Sequence, residues 1–403
     1  MSAPEVTRSR TTVGIVGGGP AGLMLSHLLD RSGIESVVLD LRTRDQIENT
    51  HRAGILEAGS VDLLVDSGVG DRVHRDGHRH EGIELRFDGH GHRVDFEALV
   101  GESVWLYPQT DVFIDLADAR ERDGGTVHFG ITDPTVEGVT TAAPTVSFTD
   151  AEGQRHEVTC DYVVGADGSR SMCRHLVPDD VAVHHFREYP FAWFGIMAEA
   201  PMSAPELIYA HSAHGFALIS QRTETLQRMY FQCDPYEDPS AWSDERIWER
   251  LALCTEGDGF TLHQGPITEK VVLRFRSFVA EPMRHGNLFL AGDAAHTVPP
   301  TGAKGLNLAL MDVKVLHELL ERAIRSGETS ALDEYSPRAL ERVWKAQHFS
   351  YWMSTMLHTM SGEYSAFDTR RQVGELTTLV GSEAGRRYLA EGYTGWPAPR
   401  GGA

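Results

Sequence analysis

A segment in the last third of the chain carries groups that can bind a sugar and an anion. Residues 290–307 read LAGDAAHTVPPTGAKGLN, in which an apolar strand ends at Gly292-Asp293 and a loop with two prolines leads into an amphipathic helix. A carboxylate at a strand end can bind a sugar hydroxyl, and a glycine-rich turn into a helix N-terminus presents free backbone N–H groups to an anion. The segment therefore predicts a ligand site.

A glycine-rich turn near the N-terminus is a second candidate ligand site. It follows the apolar residues 13–16 and has the pattern GxGxxG, with the residues Gly17, Gly19, Pro20, Ala21 and Gly22. Such glycines allow a tight turn, a close approach of the backbone to pyrophosphate, and packing of a helix on the strand. The next strand ends at Asp40, which can bind the ribose hydroxyls of an adenine dinucleotide. The pattern favours a dinucleotide site over the alternative, a glycine turn that only connects two elements.

The composition restricts the class of protein. The chain has 403 residues, more than a single hydrophobic core usually serves, so two or three lobes are expected. Its net charge of −21 argues against nucleic-acid binding, because no basic surplus is available to displace counterions from phosphates. Four cysteines without a CxxC pair, and no stretch resembling a signal peptide or a membrane span, predict a cytoplasmic protein without a membrane partner.

The elements that must position these groups are typical of a doubly wound α/β fold. Residues 11–80 alternate strands and helices, and a buried strand within 160–168 delivers a second acidic residue and glycine to a strand end. From about 180 to 275, a period of two predicts a sheet with one exposed face. After residue 303 the apolar spacing becomes helical.

Three motifs in a fixed order resemble a known family. The turn at 17–22, Asp-Gly at 167–168 and Gly-Asp at 292–293 make the chain similar to the single-component flavoprotein aromatic hydroxylases, from Val13 to about Trp396. The resemblance implies FAD as cofactor, NADH or NADPH as electron donor, dioxygen as co-substrate, and a homodimer. By position it implies FAD contacts, beside those of the glycine-rich turn and Asp40, at Arg52, Gln109, Asp167, Gly168, Gly292, Asp293, Gly305, Leu306 and Asn307, with Lys304 shaping the local potential.

The expected fold class is α/β. An FAD-binding, Rossmann-like doubly wound sheet of the glutathione-reductase type is joined to a mixed-sheet substrate domain and C-terminal helices. The expected divisions are an FAD-binding domain over 11–180 with part of the substrate sheet inserted near 81–108, a substrate domain over 181–275, a return to the FAD-binding domain over 276–300, a helical interface region over 301–396, and mobile tails at 1–10 and 397–403.

A positively charged side chain, that of Arg222, is the candidate ligand for the carboxylate end of the substrate. Arg222, in Ser220-Gln221-Arg222, offers a planar guanidinium that can bind a benzoate carboxylate through two parallel charge-assisted hydrogen bonds. The hydroxyls of Ser220 and Tyr230 lie on neighbouring predicted strands and can complete the carboxylate shell. All three match positions where the family binds a carboxylate. For a lone arginine in a strand the alternative is a solvated or salt-bridged surface group, and the surrounding pattern favours the ligand role.

The other end of the substrate requires removal of a phenol proton, since the ring attacks electrophilic oxygen only as its hydroxyl ionises. Tyr209 and Tyr393 match the two family tyrosines at this end, and His80 matches the histidine that ends the proton relay to solvent. The resemblance also places the Pro300 carbonyl against the phenol. His80 belongs to a histidine-rich stretch that could be plain surface or a metal site. No carboxylate or cysteine has the spacing to close a coordination shell, so no metal is expected.

The resemblance is closest to family members that act on 4-hydroxybenzoate. It implies hydroxylation of 4-hydroxybenzoate at ring carbon 3 to 3,4-dihydroxybenzoate, through a hydroperoxide at C4a of FAD. Leu41 stands where members that prefer NADPH carry a basic or aromatic group, and Glu48 would repel a 2′-phosphate, which favours NADH, although Arg42 and Arg44 could still attract NADPH. The alternatives are a hydroxylase of another para-substituted benzoate and a non-catalytic flavoprotein that binds an aromatic acid.

Overall fold

The computed structural model describes residues 6–50, 54–360, 362 and 365–396. Its strands are β1 (Val6–Val16), β2 (Ser36–Asp40), β3 (Ile55–Leu56), β4 (His78–His80), β5 (Gly82–Phe87), β6 (His90–Asp95), β7 (Val104–Leu106), β8 (Thr126–Phe129), β9 (Thr132–Glu137), β10 (Thr145–Thr149), β11 (Arg155–Gly165), β12 (Val183–Ala198), β13 (Leu207–Ser212), β14 (Gly215–Thr223), β15 (Leu226–Cys233), β16 (Ile267–Glu281), β17 (Arg284–His285), β18 (Leu288–Leu290) and β19 (His296–Thr297).

The α-helices are α1 (Pro20–Arg31), α2 (Arg44–Glu48), α3 (Ala58–Asp66), α4 (Asp71–Asp76), α5 (Phe96–Val100), α6 (Gln109–Arg122), α7 (Asp244–Thr255), α8 (Gly305–Ser326), α9 (Tyr335–Leu357), α10 (Ser365–Gly381) and α11 (Glu383–Thr394). Short 3-10 helices cover Cys173–Leu176, Pro239–Ala241, Gly292–Ala294, Pro300–Gly302 and Thr329–Glu334. Among the described helices, none combines the length and the apolar character needed to cross a membrane.

The first sheet forms the core of the doubly wound α/β domain. Its order is β17-β18-β11-β1-β2-β8, and β1 pairs in parallel with both β2 and β11. The C-terminal halves of these strands are buried apolar runs, as parallel strands covered by helices require, and they share one hydrophobic core with α1, α6 and α8. The α/β fold class is confirmed.

Two boundaries differ from those expected. Strand β1 begins at Val6, so residues 6–10 are not part of a mobile tail. These residues continue the strand although most are polar, because Val6 pairs with Arg155 and Arg8 forms an ion pair with Glu157 at 3.1 Å. Strand β16 pairs with β12 as far as Glu281, so residues 276–281 belong to the substrate sheet, and the chain returns to the first sheet only at β17. The remaining tail residues, 1–5 and 397–403, lie outside the described residues.

The second sheet positions the substrate residues. Its order is β19-β16-β12-β15-β14-β13-β5-β6, so the hairpin of β5 and β6 joins it from the first part of the chain. One face packs against α9, α10 and α11, and the other packs against α7. The expectation of one exposed face is therefore wrong here: helices cover both faces, and β14 is buried along most of its length. Tyr209, Leu218 and Tyr230 lie directly opposite one another on β13, β14 and β15, on the face that meets α9 and α11.

Candidate active site

The glycine-rich turn lies between β1 and α1. Gly17 has φ 113°, and a Cβ there would come within 2.2 Å of the Ala166 carbonyl oxygen. A Cβ at Gly22 would come within 1.9 Å of the Gly17 carbonyl oxygen, so α1 can pack on the turn only with glycine here. A Cβ at Gly19 would meet no heavy atom within 4 Å, which leaves the backbone open to a pyrophosphate at the start of α1.

Asp40 ends β2 beside this turn. Its Oδ2 accepts a hydrogen bond from the Gly18 N–H at 2.9 Å, and its Oδ1 accepts one from the Arg42 N–H at 2.8 Å. The side chain is buried. The Arg42 guanidinium adds two longer bonds, from Nε to Oδ1 at 3.2 Å and from Nη2 to Oδ2 at 3.3 Å. Since a carboxylate has about four acceptor positions, a ribose hydroxyl would bind Asp40 by displacing the exposed Arg42 guanidinium.

The Gly292-Asp293 turn is held by a pair that the sequence analysis did not identify. The Gly292 N–H donates to Oδ2 of Asp312 at 2.9 Å, and the same oxygen lies 2.6 Å from Nε2 of His296. Burial alone would lower the pKa of His296, but the adjacent Asp312 carboxylate raises it. The pair fixes the turn from helix α8.

Helix α8 begins at Gly305 with no side-chain cap. The first backbone hydrogen bond of the helix is donated by the Leu308 N–H to the Lys304 carbonyl, at 2.9 Å. The N–H groups of Gly305, Leu306 and Asn307 precede this bond and remain free of intrahelical partners. A Cβ at Gly305 would meet no heavy atom within 4 Å, so this N-terminus is open to a ligand with negative charge.

Asp167 and Gly168 differ in what they offer a ligand. Asp167 stabilises its own loop, since its Oδ2 accepts from the N–H groups of Met172 and Cys173 at 2.7 and 3.1 Å, and its Oδ1 accepts from the Ser171 hydroxyl. Gly168 has φ 76° and would carry a Cβ into open space. The glycine is thus the more accessible of the two predicted contacts.

Asn307 uses its side chain within the protein. Its Oδ1 accepts from the Glu57 N–H at 2.9 Å, and its Nδ2 donates to the carbonyls of Ile55 and Ala303 at 2.8 and 2.9 Å. These bonds tie β3 to the start of α8. A flavin contact of Asn307 stays a prediction for its backbone N–H.

Lys304 connects the two ends of the site. Its ammonium donates to Oε1 of Glu57 at 2.7 Å and to the Tyr393 carbonyl at 3.0 Å, and Oε2 of Glu57 accepts from Arg342 at 3.1 Å. Burial lowers the pKa of Lys304. Glu57 and Arg342 were not identified from the sequence, because nothing in their local sequence indicates that they meet a lysine on a distant segment.

For the other residues predicted to contact FAD, the structure gives a position, and the contact itself stays a prediction. Pro20 and Ala21 begin α1, and Gln109 begins α6. Arg52 lies outside the described residues.

The two predicted tyrosines meet at the phenol end. The hydroxyls of Tyr209 and Tyr393 are 2.7 Å apart, and the Tyr209 hydroxyl donates to the Thr301 carbonyl at 3.3 Å. Both side chains are almost completely buried, and burial raises the pKa of both. The Pro300 carbonyl accepts from the Ala303 N–H at 2.9 Å, so it closes a 3-10 turn, and the carbonyl that contacts Tyr209 belongs to the next residue.

His80 is not hydrogen-bonded to either tyrosine. Its Nε2 lies 2.8 Å from Nε2 of Gln221, and burial lowers the pKa of His80 to about 4. In the described part of the chain, no group of histidines, cysteines and carboxylates could hold a metal ion.

Arg222 and Arg228 differ in their partners. Arg228 donates to Glu269 at 2.9 Å and to the Tyr230 hydroxyl at 3.1 Å. Arg222 is half-buried at a register shift between β14 and β15, and burial lowers its pKa. It has no hydrogen bond or ion pair with any other described residue. A guanidinium so placed is suited to an anion that the protein itself does not supply.

Known proteins resemble this chain over nearly its whole length. The p-hydroxybenzoate hydroxylase of Acinetobacter baylyi is 44% identical over 390 residues, which are 96% of each chain. Residues 10–350 match the family described as FAD binding domain. The chain belongs to this family of flavoprotein aromatic hydroxylases.

More distant relatives of the hydroxylase share its fold. The 6-methylpretetramide 4-monooxygenase of Streptomyces rimosus is 29% identical over 371 residues, covering 88% of this chain and 86% of that protein. The crystal structure of p-nitrophenol 4-monooxygenase from Pseudomonas putida superposes with a TM-score of 0.81 at 20% identity, over 97% of this chain and all of that one.

FAD is the cofactor of this hydroxylase, and the residues present fit it. Three glycines, Gly19, Gly168 and Gly305, would each carry a Cβ into open space, whereas Gly17 and Gly22 are required by their own close contacts. The backbone is therefore accessible to a ligand at the starts of α1 and α8, and helix N-termini stabilise phosphate and other negatively charged groups.

Proposed function

We propose that this hydroxylase adds one oxygen atom of O₂ to carbon 3 of 4-hydroxybenzoate, with electrons from a nicotinamide nucleotide. The proposal rests on one observation. On the face of the second sheet that meets α9 and α11, the buried hydroxyl of Tyr209 pairs with that of Tyr393 from α11, and β14 carries an arginine, Arg222, without a carboxylate partner among the described residues. These groups suit a phenol and a carboxylate on one ligand, and the relative at 44% identity supports this substrate.

The spacing of the two groups suits a single benzene ring. Tyr209 is opposite Leu218, and Arg222 follows Leu218 by four residues along β14. Four residues of an antiparallel strand span about 14 Å. In the proposed complex the two side chains bind the substrate from the two ends of this interval, with one benzene ring and its para substituents between them.

At the carboxylate end, Arg222 donates two N–H groups to the two carboxylate oxygens. Tyr230 can add a third donor, because its hydroxyl oxygen accepts from Arg228 and its own proton is free. The Ser220 hydroxyl donates to the Arg228 carbonyl at 2.7 Å, so it must rotate before it can donate to the substrate. Tyr230 is therefore the better second ligand.

At the phenol end, the Tyr209 hydroxyl accepts the phenol proton as it passes its own proton to Tyr393. For this step Tyr209 must first release the Thr301 carbonyl, and the bond between the two tyrosines must reverse its direction. Burial raises the pKa of both tyrosines, so neither is suited to keep a negative charge, and the proton must continue along the relay. His80 is the expected end of this relay.

FAD, once reduced, supplies the activated oxygen atom that the ring takes up. The chain contributes the position of the ring and the exclusion of water, since Tyr209 and Tyr393 lie in the hydrophobic core between the sheet and the C-terminal helices.

One assay tests the proposed function. Purified protein with FAD, NADH and 4-hydroxybenzoate in air is followed for donor oxidation and 3,4-dihydroxybenzoate together. Near one-to-one formation of product per NADH is expected. Substrate-stimulated NADH oxidation that yields only hydrogen peroxide would show that another benzoate is the substrate, and no stimulation with either donor would contradict the hydroxylase assignment.

NADH is expected to be preferred over NADPH by at least about tenfold in kcat/KM, about 1.4 kcal/mol. The two arginines that could bind a 2′-phosphate are already paired with carboxylates: Arg42 with Asp40, and Arg44 with Glu48, Asp118 and Glu121. Leu41 beside them is exposed and apolar. Steady-state kinetics with both donors measure the ratio, and Glu48→Gln is expected to reduce it. Equal values, or a preference for NADPH, would overturn the expectation.

We also propose a homodimer. Exposed aromatic side chains cluster where α9 meets β12, with the His185 ring 5.1 Å from Trp344 and the Arg187 guanidinium 4.8 Å from Tyr351. Phe186 on β12 is 61% exposed. Aromatic residues and arginine are enriched at protein interfaces. Phe186→Glu is expected to halve the molar mass measured by light scattering, to that of one 44.5 kDa chain. A parent protein that is already monomeric would contradict the proposal.

The cytoplasm is the proposed compartment. Cys160, Cys173 and Cys254 are buried, Cys233 is partly buried, and none forms a disulfide. Burial raises the pKa of all four thiols, so they behave as apolar side chains. Unpaired cysteines of this kind suit a reducing environment.

A further inference from the structure

Gln221 is bonded to His80 in a way that fixes where the imidazole carries its proton. Nε2 of Gln221 donates to the Pro205 carbonyl at 2.8 Å and lies 2.8 Å from Nε2 of His80. A carbonyl oxygen only accepts hydrogen bonds, so the nitrogen of the amide, and not its oxygen, must face Pro205. The second amide hydrogen then points at His80. Nε2 of neutral His80 must therefore be the acceptor, and the ring proton must lie on Nδ1.

The tyrosine pair has a direction of donation that matches this arrangement. Tyr209 has one hydroxyl proton, which it donates to the Thr301 carbonyl. Tyr393 is then the donor in the bond that the two hydroxyls share. Nδ1 of His80 is buried and has no hydrogen-bond partner among the described residues, so its proton is available to the relay. Because Tyr393 donates to Tyr209, the Tyr209 proton does not lie in the bond between the two tyrosines and can turn from the Thr301 carbonyl to a bound substrate.

We propose that Gln221 is a positioning residue that holds His80 as the Nδ1–H tautomer. The ring then offers the relay a proton donor, and Tyr209 can turn its own proton from the Thr301 carbonyl to the substrate phenol oxygen. A hydrogen bond donated in this direction favours the phenolate, since a charged phenolate oxygen accepts a stronger hydrogen bond than the neutral phenol oxygen does. The effect on the substrate rests on the proposed function, whereas the tautomer of His80 does not.

The charges around His80 do not oppose this arrangement. The groups that face it are Glu206, which precedes β13, and His78 on its own strand. Burial outweighs the Glu206 carboxylate and lowers the pKa of His80 to about 4, so the ring is neutral at neutral pH and a single tautomer is meaningful.

The first test needs no substrate. Long-range ¹H–¹⁵N spectra of the histidine-labelled holoenzyme report the tautomer of each ring, and the His80 signal among the 20 histidines is identified by its absence in His80→Gln. The parent is expected to carry its proton on Nδ1 of His80. A parent with the proton on Nε2 would overturn the proposal without any variant.

Gln221→Leu and Gln227→Leu form a matched pair. Both glutamines are buried and both donate to a proline carbonyl, Gln227 to that of Pro201, but Gln227 does not contact His80. Gln221→Leu is expected to give a mixture of His80 tautomers, and Gln227→Leu to keep the parent tautomer. An unmixed Nδ1–H signal in Gln221→Leu would contradict the role of Gln221.

The second test measures ionisation of bound 4-hydroxybenzoate by its phenolate absorption as pH rises. Loss of one oriented hydrogen bond in Gln221→Leu is expected to move the transition up by about one pH unit. Identical transitions in both glutamine variants would remove the functional part of the proposal. If 4-hydroxybenzoate does not bind the parent at all, the proposed function fails, and the tautomer spectra still decide the role of Gln221.

Discussion

Tyr209→Phe is expected to separate NADH oxidation from hydroxylation. The variant keeps the ring that packs in the core but loses the hydroxyl that lies 2.7 Å from Tyr393. A positioned acid–base group usually contributes about 10²–10⁴-fold to rate, so formation of 3,4-dihydroxybenzoate should fall at least about 100-fold. Simultaneous assays of NADH, product and hydrogen peroxide measure the effect. FAD content should be unchanged, because Tyr209 is on the substrate sheet.

Tyr189→Phe is the matched control for this prediction. Tyr189 is a buried tyrosine of the same sheet, on β12. Its hydroxyl forms a hydrogen bond with Ser277 at 3.0 Å and none with Tyr209 or Tyr393. It should keep the parent ratio of product to NADH. Undiminished product per NADH in Tyr209→Phe, or equal losses in both variants, would show that the Tyr209 hydroxyl does not take the phenol proton.

The parts of the site that could be predicted from the sequence depend on short stretches of backbone. The turn at Gly17 and Gly22 is of this kind, because each glycine is required by contacts within one strand–turn–helix unit. Asp40 is another, since the end of a parallel strand places it next to the turn. The helix after residue 303 was predictable for the same reason, and it begins at Gly305.

The parts that could not be predicted depend on which distant segments meet. Glu57 and Lys304 are 247 residues apart in sequence and form a buried pair, and no local pattern relates them. The coverage of both faces of the second sheet depends on where α7 and the C-terminal helices pack, which the period of two in the strands does not report.

The contact between Thr301 and Tyr209 was missed for a related reason. The Thr301 carbonyl accepts from the Tyr209 hydroxyl because of the conformation of the 3-10 turn, which residue types do not encode. The contact of the Pro300 carbonyl with the substrate phenol stays a prediction, since that oxygen has a second lone pair besides the one used by the Ala303 N–H. The partner of His80 was likewise unexpected, since Gln221 was read only as the residue between Ser220 and Arg222.

Arg222→Gln is expected to weaken binding of 4-hydroxybenzoate at least about 30-fold, measured as the Kd from the change in flavin absorption. Removing one partner of a desolvated, hydrogen-bonded charge pair costs about 2–5 kcal/mol, and each 1.4 kcal/mol is tenfold. Arg222→Lys retains the charge but loses the planar pair of donors, so an intermediate Kd is expected. Arg274→Gln, which removes the same charge from β16 of the same sheet, should keep the parent Kd. An unchanged Kd in Arg222→Gln would contradict the carboxylate role.

A neutral ligand separates loss of the charge pair from damage to the pocket. 4-Hydroxybenzamide has nearly the shape of the substrate without its charge, so its Kd should differ much less between parent and Arg222→Gln than that of 4-hydroxybenzoate.

The thermal stability of the ligand-free protein should rise in Arg222→Gln, although its affinity for 4-hydroxybenzoate falls. Arg222 is half-buried without a partner among the described residues, and neutralising it removes an uncompensated charge, so Tm should rise. A lower Tm together with equal losses for both ligands would assign Arg222 to the packing of β14.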